Sequence, residues 1–278
     1  LQHPNIATSL SAGRTSRGRP YFALEFIDGL PLVRFCDVHS LGLPDRVRLF
    51  CKVCAAISHA HERRVIHRDI KPSNVLVRMI DGEAVPSVID FGLSRALDVR
   101  GELDESRPTM QGQFIGTPEF MSPEQARGDI DRVDERSDVY SLGVMLFELL
   151  VGLMPFSERQ FLGNSGSDID AFLAKNEITP PSRRSSVAEG ARARASARRC
   201  TPSRLASTLK GPLDWVVMKA VRYEPQERYA SVSALADDLR AYLESRRTVA
   251  RPRRIAVRRV NTNVRKRTGS ALLQDNNE

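Results

Sequence analysis

The sequence has 278 residues, 41% hydrophobic and 27% charged, a balance typical of a globular domain and unlike that of a disordered chain. Its longest apolar stretch, residues 142–156, contains Glu148 and is shorter than the roughly 18 to 20 residues of a membrane-spanning helix. No secretion signal opens the sequence. The net charge of +8 resides in residues 245–278, where ten Lys/Arg face two acids. We therefore expect a cytoplasmic body with a basic, disordered tail.

The first predicted elements are a strand and a helix. Residues 21–27 form a short apolar run that stops at Gly29, and the apolar residues of 44–62 recur at helical spacing. Cys51 and Cys54 fall on this helix, and no second Cys/His pair exists to complete a zinc site. We therefore expect core thiols.

A hairpin and a buried helix follow. Apolar runs at 75–77 and 87–89 flank an Asp81-Gly82 turn, which predicts a β-hairpin. Residues 138–151 are apolar on nearly all sides and end at Gly152, which predicts a core helix with a glycine after its C-terminus.

The C-terminal part has two further helical patterns, at 213–220 and 231–244, the second with Ser231 as its N-cap. Between the core helix and these patterns, residues 157–210 are rich in Ser, Arg, Ala and Pro. They predict a short helix and an insertion at about 180–210 without assigned elements.

The chemistry-bearing residues flank the predicted hairpin. The segment 67–74, with the sequence HRDIKPSN, precedes it, and the triplet DFG at 90–92 follows. The hairpin would bring Asp90 back beside Asn74. Two oxygen ligands for Mg²⁺ next to the carboxylate of Asp69 suit phosphoryl transfer, which depends on positioning and charge neutralisation.

The order of the motifs carries more weight than any one of them. HRD or DFG triplets occur by chance, and a lone Asp is more often a turn residue or a helix cap. Here GTPEFMSPE at 116–124 follows the DFG triplet, DVYSLG at 138–143 opens the core helix, and ERY at 227–229 precedes the last helix.

With these motifs, residues 1–244 resemble the protein kinase family, specifically bacterial eukaryotic-like Ser/Thr kinases. Lys71, two places after Asp69, and Gly116-Thr117 are similar to the Ser/Thr class. The resemblance implies transfer of the ATP γ-phosphate to Ser or Thr hydroxyls of protein substrates.

The resemblance also implies an α+β, protein kinase-like fold. Residues 1–29 would be a remnant of the N-lobe sheet with the hinge, and residues 30–244 the helical C-lobe, which includes the insertion at about 180–210. Residues 245–278 would be the basic tail.

Roles in the catalytic loop follow from the same resemblance. Asp69 would be the catalytic base toward the substrate hydroxyl, and Lys71 would steady the γ-phosphate. Asn74 and Asp90 would hold Mg²⁺, or Mn²⁺ in its place. ATP is the implied cofactor.

The nucleotide side is expected around residues 22–27, which resemble the kinase hinge. Leu24 would be the gatekeeper, the backbone of Glu25 and Ile27 would bind the adenine, and Leu76 would pack beneath the ring. An ordinary core strand is the alternative.

Arg68 makes the chain similar to kinases whose activation loop is phosphorylated and pairs with that arginine. The resemblance implies Ser106 or Thr109 as the phosphorylated residue, and Thr117 as a residue that bonds within the substrate-binding loop.

Other motif residues would have structural roles. Glu124 would pair with Arg228 inside the lobe, and Asp138 would cap the backbone of the catalytic loop, with ordinary surface charges as the alternative. The remaining structural positions are His67, Phe91 and Gly92.

Two parts of a kinase do not appear in the sequence. Residues 3–5 resemble the loop that follows the kinase αC helix, and no G-x-G-x-x-G or V-A-I-K-type segment occurs. We expect an N-terminally truncated kinase that by itself binds ATP weakly, with a pseudokinase or a kinase-fold binding module as the alternative.

The expected partners are protein substrates. The basic tail is similar to a juxtamembrane stretch, so contact with a membrane surface, within a longer membrane-anchored kinase, is one alternative to a solvated tail. Specific nucleic-acid binding is disfavoured because residues 1–244 carry no net charge. The sequence specifies neither the substrate nor the oligomeric state.

Overall fold

The structure is a computed structural model that describes residues 1–16, 18, 20–91, 117–161, 163–187 and 189–251. Three predicted site residues lie outside these ranges, namely Gly92, Ser106 and Thr109. The tail beyond Arg251 also lies outside them.

The N-terminal strands form a two-stranded antiparallel sheet, in which β1 (Ser9–Arg14) pairs with β2 (Pro20–Leu24). The strand predicted at 21–27 therefore ends three residues early. The reason is that its partner strand β1 begins only at Ser9. The residues before β1 turn away toward β5, where Ala7 N donates to Val88 O at 2.9 Å. Residues 25–29 continue without strand pairing.

A second antiparallel sheet contains β3 (Leu30–Pro31), β4 (Val75–Ile80) and β5 (Glu83–Val88), in the order β3-β4-β5. The predicted hairpin is confirmed, because β4 and β5 pair across Asp81 and Gly82. Both turn residues have positive φ, 48° and 81°, as a tight two-residue turn requires.

Helices are the main regular structure of the described residues. The helices are α1 (Leu32–Val38), α2 (Leu43–His61), α3 (Pro123–Ala126), α4 (Glu135–Val151), α5 (Gly166–Lys175), α6 (Pro181–Arg184), α7 (Ala191–Ser196), α8 (Pro202–Leu209), α9 (Pro212–Ala220) and α10 (Val232–Leu243). Within the described ranges, none of them combines the length and apolarity that a bilayer crossing requires.

Helix α4 is the centre of the hydrophobic core, with nearly every side chain buried. It packs against α2, α9 and α10. It begins at Glu135 instead of Asp138, because Asp134 caps it by accepting from Arg136 N at 2.7 Å. It ends as predicted at Gly152, whose φ of 77° suits glycine.

The C-terminal region is more ordered than the sequence pattern predicted. Three short helices, α6 to α8, occupy the segment for which no elements were assigned. Helix α10 has its predicted cap, since Ser231 Oγ accepts from Ala234 N at 3.2 Å. Beyond α10 the chain remains packed, with Thr248 and Ala250 buried.

Candidate active site

The segment between α2 and β4 contains the predicted catalytic loop, residues 67–74, and it brings Lys71 and Asn74 to the carboxylate of Asp69. Asp69 Oδ2 accepts from Lys71 Nζ at 2.9 Å and from Asn74 Nδ2 at 3.1 Å. Asn74 Nδ2 also donates to Asp69 O at 2.8 Å. The Asp69 side chain is 44% exposed, so a substrate hydroxyl can reach its carboxylate from solvent.

Asp90 is brought to the same place by the hairpin. Ile89 N donates to Asn74 O at 3.0 Å, which fixes the end of β5 beside the catalytic loop. Asp90 is exposed, with a φ of 59°. Among the described residues, neither its carboxylate nor Asn74 Oδ1 has a hydrogen-bond partner. These free hard oxygen donors fit Mg²⁺, which prefers such ligands.

His67 connects the two halves of this site. Its Nε2 donates to Ile89 O at 3.0 Å, and its Nδ1 accepts from Asp69 N at 3.3 Å. The ring lies against Phe91, with centroids 4.7 Å apart. Burial lowers the pKa of His67, which favours the neutral ring that this pair of contacts needs.

Asp138 binds the backbone of the predicted catalytic loop through its carboxylate. Its carboxylate accepts from His67 N and Arg68 N, each at 2.8 Å, and lies 2.7 Å from Nε2 of His61. Asp138 is fully buried in the first turn of α4, where the helix dipole favours a negative charge. The predicted cap is therefore present in the structure.

Glu124 and Arg228 also meet as predicted. Two parallel hydrogen bonds of 2.7 and 2.8 Å join their fully buried side chains, and Ser137 Oγ donates to Glu124 at 2.6 Å. Burial acts to raise the pKa of Glu124, but the bonds and charge of Arg228 outweigh it and hold the pKa below its usual value. This pair fixes α3 to the segment before α10.

The residues predicted to bind the adenine lie on β2, on β4 and in the segment 25–29 that follows β2. Ile27 is buried, whereas Leu24 and Leu76 are half-buried. Within the described residues, Glu25 O and Ile27 N have no hydrogen bond, so they are available to a ligand. At Gly29 the backbone passes so close to β4 that a Cβ would lie 2.8 Å from Val77 O.

The side chain of Glu25 is occupied by the protein. It accepts from Thr8 N at 3.2 Å and from Arg78 at 3.1 Å. The hydrogen bonds from Thr8, followed by the contact with Arg78, lower its pKa. Only the backbone of Glu25 therefore remains for recognition of a ligand.

Sequence reasoning missed Gln125, which lies one residue after Glu124. Its side chain is buried and donates to Arg68 O at 2.7 Å. The pattern Ser-x-x-Gln at 122–125 is a capping-box signature and could have drawn attention to it. Thr117 lies in the segment 117–122 that leads into α3, where the substrate-binding loop is predicted. It is half-buried, without a side-chain hydrogen bond among the described residues.

Comparisons with known proteins agree with this arrangement. A family model described as the protein kinase domain matches residues 1–238. The serine/threonine-protein kinase PknB of Mycobacterium leprae is 34% identical over 86% of this chain and 33% of its own length. The serine/threonine-protein kinase Pkn1 of Myxococcus xanthus is 33% identical over 87% of this chain and 30% of its own length.

The similarity extends to a solved structure. The structure of Rad53 1-466 in complex with AMP-PNP matches with a TM-score of 0.56 and 20% identity, over 86% of this chain and 51% of that chain. It shows a shared fold. The present chain spans about a third of the length of the curated relatives named above. The family match over most of the sequence, on a structure that assembles the expected motifs, means that this chain belongs to the protein kinase family.

Proposed function

We propose that this chain is the catalytic part of a Ser/Thr protein kinase that transfers the ATP γ-phosphate to Ser or Thr hydroxyls of proteins. The observation that carries the proposal is the convergence of Asp69, Lys71 and Asn74 within hydrogen-bonding distance, beside Asp90. The names of the relatives, serine/threonine-protein kinases, support the same reaction class.

The geometry suggests how the loop would act on a substrate. Lys71 and Asn74 both occupy Oδ2 of Asp69, which leaves Oδ1 to accept the proton of an incoming hydroxyl. The ammonium of Lys71 lies at the side of the same carboxylate, where it can meet the negative charge of the transferred phosphoryl group. Phosphoryl transfer relies mainly on such positioning and charge.

Asn74 and Asp90 would hold Mg²⁺, or Mn²⁺, through Oδ1 of Asn74 and the carboxylate of Asp90. When bound, the metal supplies neutralisation of phosphate charge and a fixed orientation for the phosphate chain. The contact of Ile89 N with Asn74 O supports this assignment, because it keeps the two ligands together.

The remaining roles are proposals of the same kind. Glu25 O and Ile27 N would bind the adenine, with Leu24 as gatekeeper and Leu76 beneath the ring. Phosphate on Ser106 or Thr109 would pair with Arg68, and Thr117 would act in the substrate-binding loop.

The basic segment 245–278 would contact an anionic membrane surface from the cytoplasmic side. Its ten Lys/Arg against two acids support this proposal. Sedimentation with vesicles that contain phosphatidylserine should retain the protein at low salt and release it at high salt. Equal retention by neutral vesicles would contradict it.

The test of the kinase proposal is Asp69→Asn in the protein expressed from its complete reading frame. We expect the rate of phosphate transfer to a Ser/Thr protein to fall by about 10³-fold, because the group that receives the hydroxyl proton is lost. The melting temperature should remain that of the wild type. The control is Asp237→Asn, an exposed carboxylate on α10. An unchanged rate would refute the assignment, and absence of transfer in the wild type would favour a kinase-fold binding module.

A further inference from the structure

The backbone of Arg68, directly before Asp69, is held at its N–H and at its carbonyl by buried side chains. Arg68 has a φ of 67°, a left-handed conformation that residues other than glycine rarely adopt. Its N–H donates to Asp138 Oδ1 at 2.8 Å, and its carbonyl accepts from Gln125 Nε2 at 2.7 Å. The two partners belong to different helices, α4 and α3.

Gln125 uses the two ends of its amide for different purposes. Its Oε1 accepts from Ser122 N at 3.1 Å and from Ser122 Oγ at 2.9 Å, which caps α3 at the end of the substrate-binding loop. Its Nε2 donates to Arg68 O. Ser122 is fully buried and Gln125 nearly so, so water does not compete for these bonds.

A second glutamine in the chain makes the same cap without the second contact. Ser157 N and Ser157 Oγ donate to Gln160 Oε1 at 2.7 and 3.1 Å. Gln160 is exposed, and within the described residues its Nε2 has no hydrogen bond. Capping alone therefore does not require the contact that Gln125 makes with the catalytic loop.

We propose that Gln125 is a positioning residue for phosphate transfer, which fixes the left-handed Arg68 peptide and thereby the direction of the Asp69 carboxylate. The inference rests on the proposed kinase function. The reason is geometric: without the donor at Arg68 O, the peptide between Arg68 and Asp69 keeps only the longer bond of Asp69 N to His67 Nδ1, at 3.3 Å. Asp69 follows directly after this peptide. Because the same amide caps α3, Gln125 also links the substrate-binding loop to the catalytic loop.

The variant Gln125→Glu separates these two contacts. Its carboxylate still accepts from Ser122, but it cannot donate to Arg68 O and places a negative charge against that carbonyl. In the protein from the complete reading frame we expect kcat to fall by about ten- to a hundredfold, as for a small misplacement of a catalytic group. KM for ATP should change by less than about twofold, since the nucleotide contacts lie elsewhere. Gln160→Glu is the matched control and should leave both constants unchanged.

The pH profile distinguishes positioning from a general loss of structure. Burial raises the pKa of a carboxyl, and the protonated form of the substituted side chain can donate to Arg68 O. The kcat of Gln125→Glu relative to wild type should therefore rise as pH falls from 8 to 6, whereas the ratio for Gln160→Glu should stay flat. Equal kcat values and equal profiles for the two variants would overturn the proposal.

Hydrogen exchange gives a readout that does not depend on transfer. In folded Gln125→Glu, the amides of Arg68 and Asp69 should exchange at least about tenfold faster than in wild type, with α10 unchanged. If the wild type lacks transferase activity, the kinase function fails while this measurement still tests the contact. Should Gln125→Glu not fold, Gln125→Met replaces it. Failure of both to fold would show a structural role only and would overturn the proposal.

Discussion

At its N-terminal end, α4 presents the carboxylate of Asp138 to backbone N–H groups, whereas at its C-terminal end two arginines donate to backbone carbonyls. Arg46 Nη1 lies 3.2 Å from Leu149 O, and Arg198 Nε lies 2.6 Å from Leu150 O. The last carbonyls of a helix lack partners within it, and the dipole places negative charge there. Each end of α4 therefore has charges of the sign that the dipole favours.

The two ends differ in what lies beyond them. The N-terminal end faces the catalytic loop, so its polar contacts determine the position of Asp69. The C-terminal end faces α1, α2 and the segment after α7, where Arg46 also donates to Ala197 O at 2.8 Å. The same kind of buried contact thus orders the proposed catalytic loop at one end and supports packing at the other. Changes at the C-terminal end should alter stability and leave the chemistry intact.

The largest expected effect on stability is at the N-terminal end. Arg228→Met should lower the free energy of unfolding by about 3 to 5 kcal/mol, because it leaves Glu124 charged and buried without its partner. Urea denaturation measures this change. Arg240→Met, which removes an exposed arginine from an ion pair, should cost less than about 1 kcal/mol. Similar losses of unfolding free energy in the two variants would contradict the inference that burial makes the pair of Glu124 and Arg228 important for stability.

Arg198→Met tests the C-terminal end. It leaves Leu150 O without its arginine donor and Leu149 O with Arg46 alone, and should lower the free energy of unfolding by about 2 to 3 kcal/mol. In the protein from the complete reading frame, kcat should remain within about twofold of wild type at a temperature where both are folded. A loss of kcat without a loss of stability would show that this end of α4 is coupled to the chemistry.

Glu148, in the last turn of α4, makes the C-terminal end sensitive to pH. Burial, followed by the charge of Asp37, raises its pKa from 4.5 to about 7. A raised pKa means that the folded state disfavours the ionised form, so stability is lost as pH rises from about 4.5 through about 7. The free energy of unfolding of Glu148→Gln should therefore be about 2 kcal/mol higher than that of wild type at pH 8, and the difference should shrink toward pH 5.

Denaturation at several pH values checks this prediction. The control is Glu177→Gln, which changes an exposed glutamate and should leave the pH dependence of stability as it is in wild type. A constant difference between Glu148→Gln and wild type from pH 5 to 8 would mean that Glu148 does not titrate in this range.

The two ends also differ in how far the sequence predicts them. Asp138 and the pair of Glu124 with Arg228 were predictable because their motifs occur in a family-specific order. Arg198 was not, since it is one of seven arginines in residues 183–204, and only the end of α4 distinguishes it from its neighbours. Arg46 was not predictable either. It lies on α2, whose apolar periodicity predicts a packed helix but does not indicate a buried guanidinium.

In the rest of the fold, too, the sequence predicts local features and misses contacts between distant residues. The hairpin was predictable because the Asp81-Gly82 turn is a local signal, whereas β2 ends early since its partner strand departs at Thr8. The cap made by Gln125 was visible as a local pattern, but its bond to Arg68 joins residues 57 positions apart. Contacts within a few residues are readable in the sequence, and those between elements require the fold.

The smallest expected effect belongs to Asp37, the acid that the two arginines share. It lies 2.7 Å from Arg46 and 3.5 Å from Arg198, with its side chain 40% exposed. Asp37→Asn should change the free energy of unfolding by less than about 1 kcal/mol, because solvent screens the charge and both arginines keep their carbonyl acceptors.

Asp37→Asn should nevertheless shift the pH dependence that Glu148 causes. The charge of Asp37 contributes to the raised pKa of Glu148, so its removal should move the loss of stability to lower pH. In the double variant with Glu148→Gln this shift should disappear, because the titrating group is gone. A loss of several kcal/mol in Asp37→Asn alone would show that the carboxylate, and not the helix carbonyls, holds the two arginines in place.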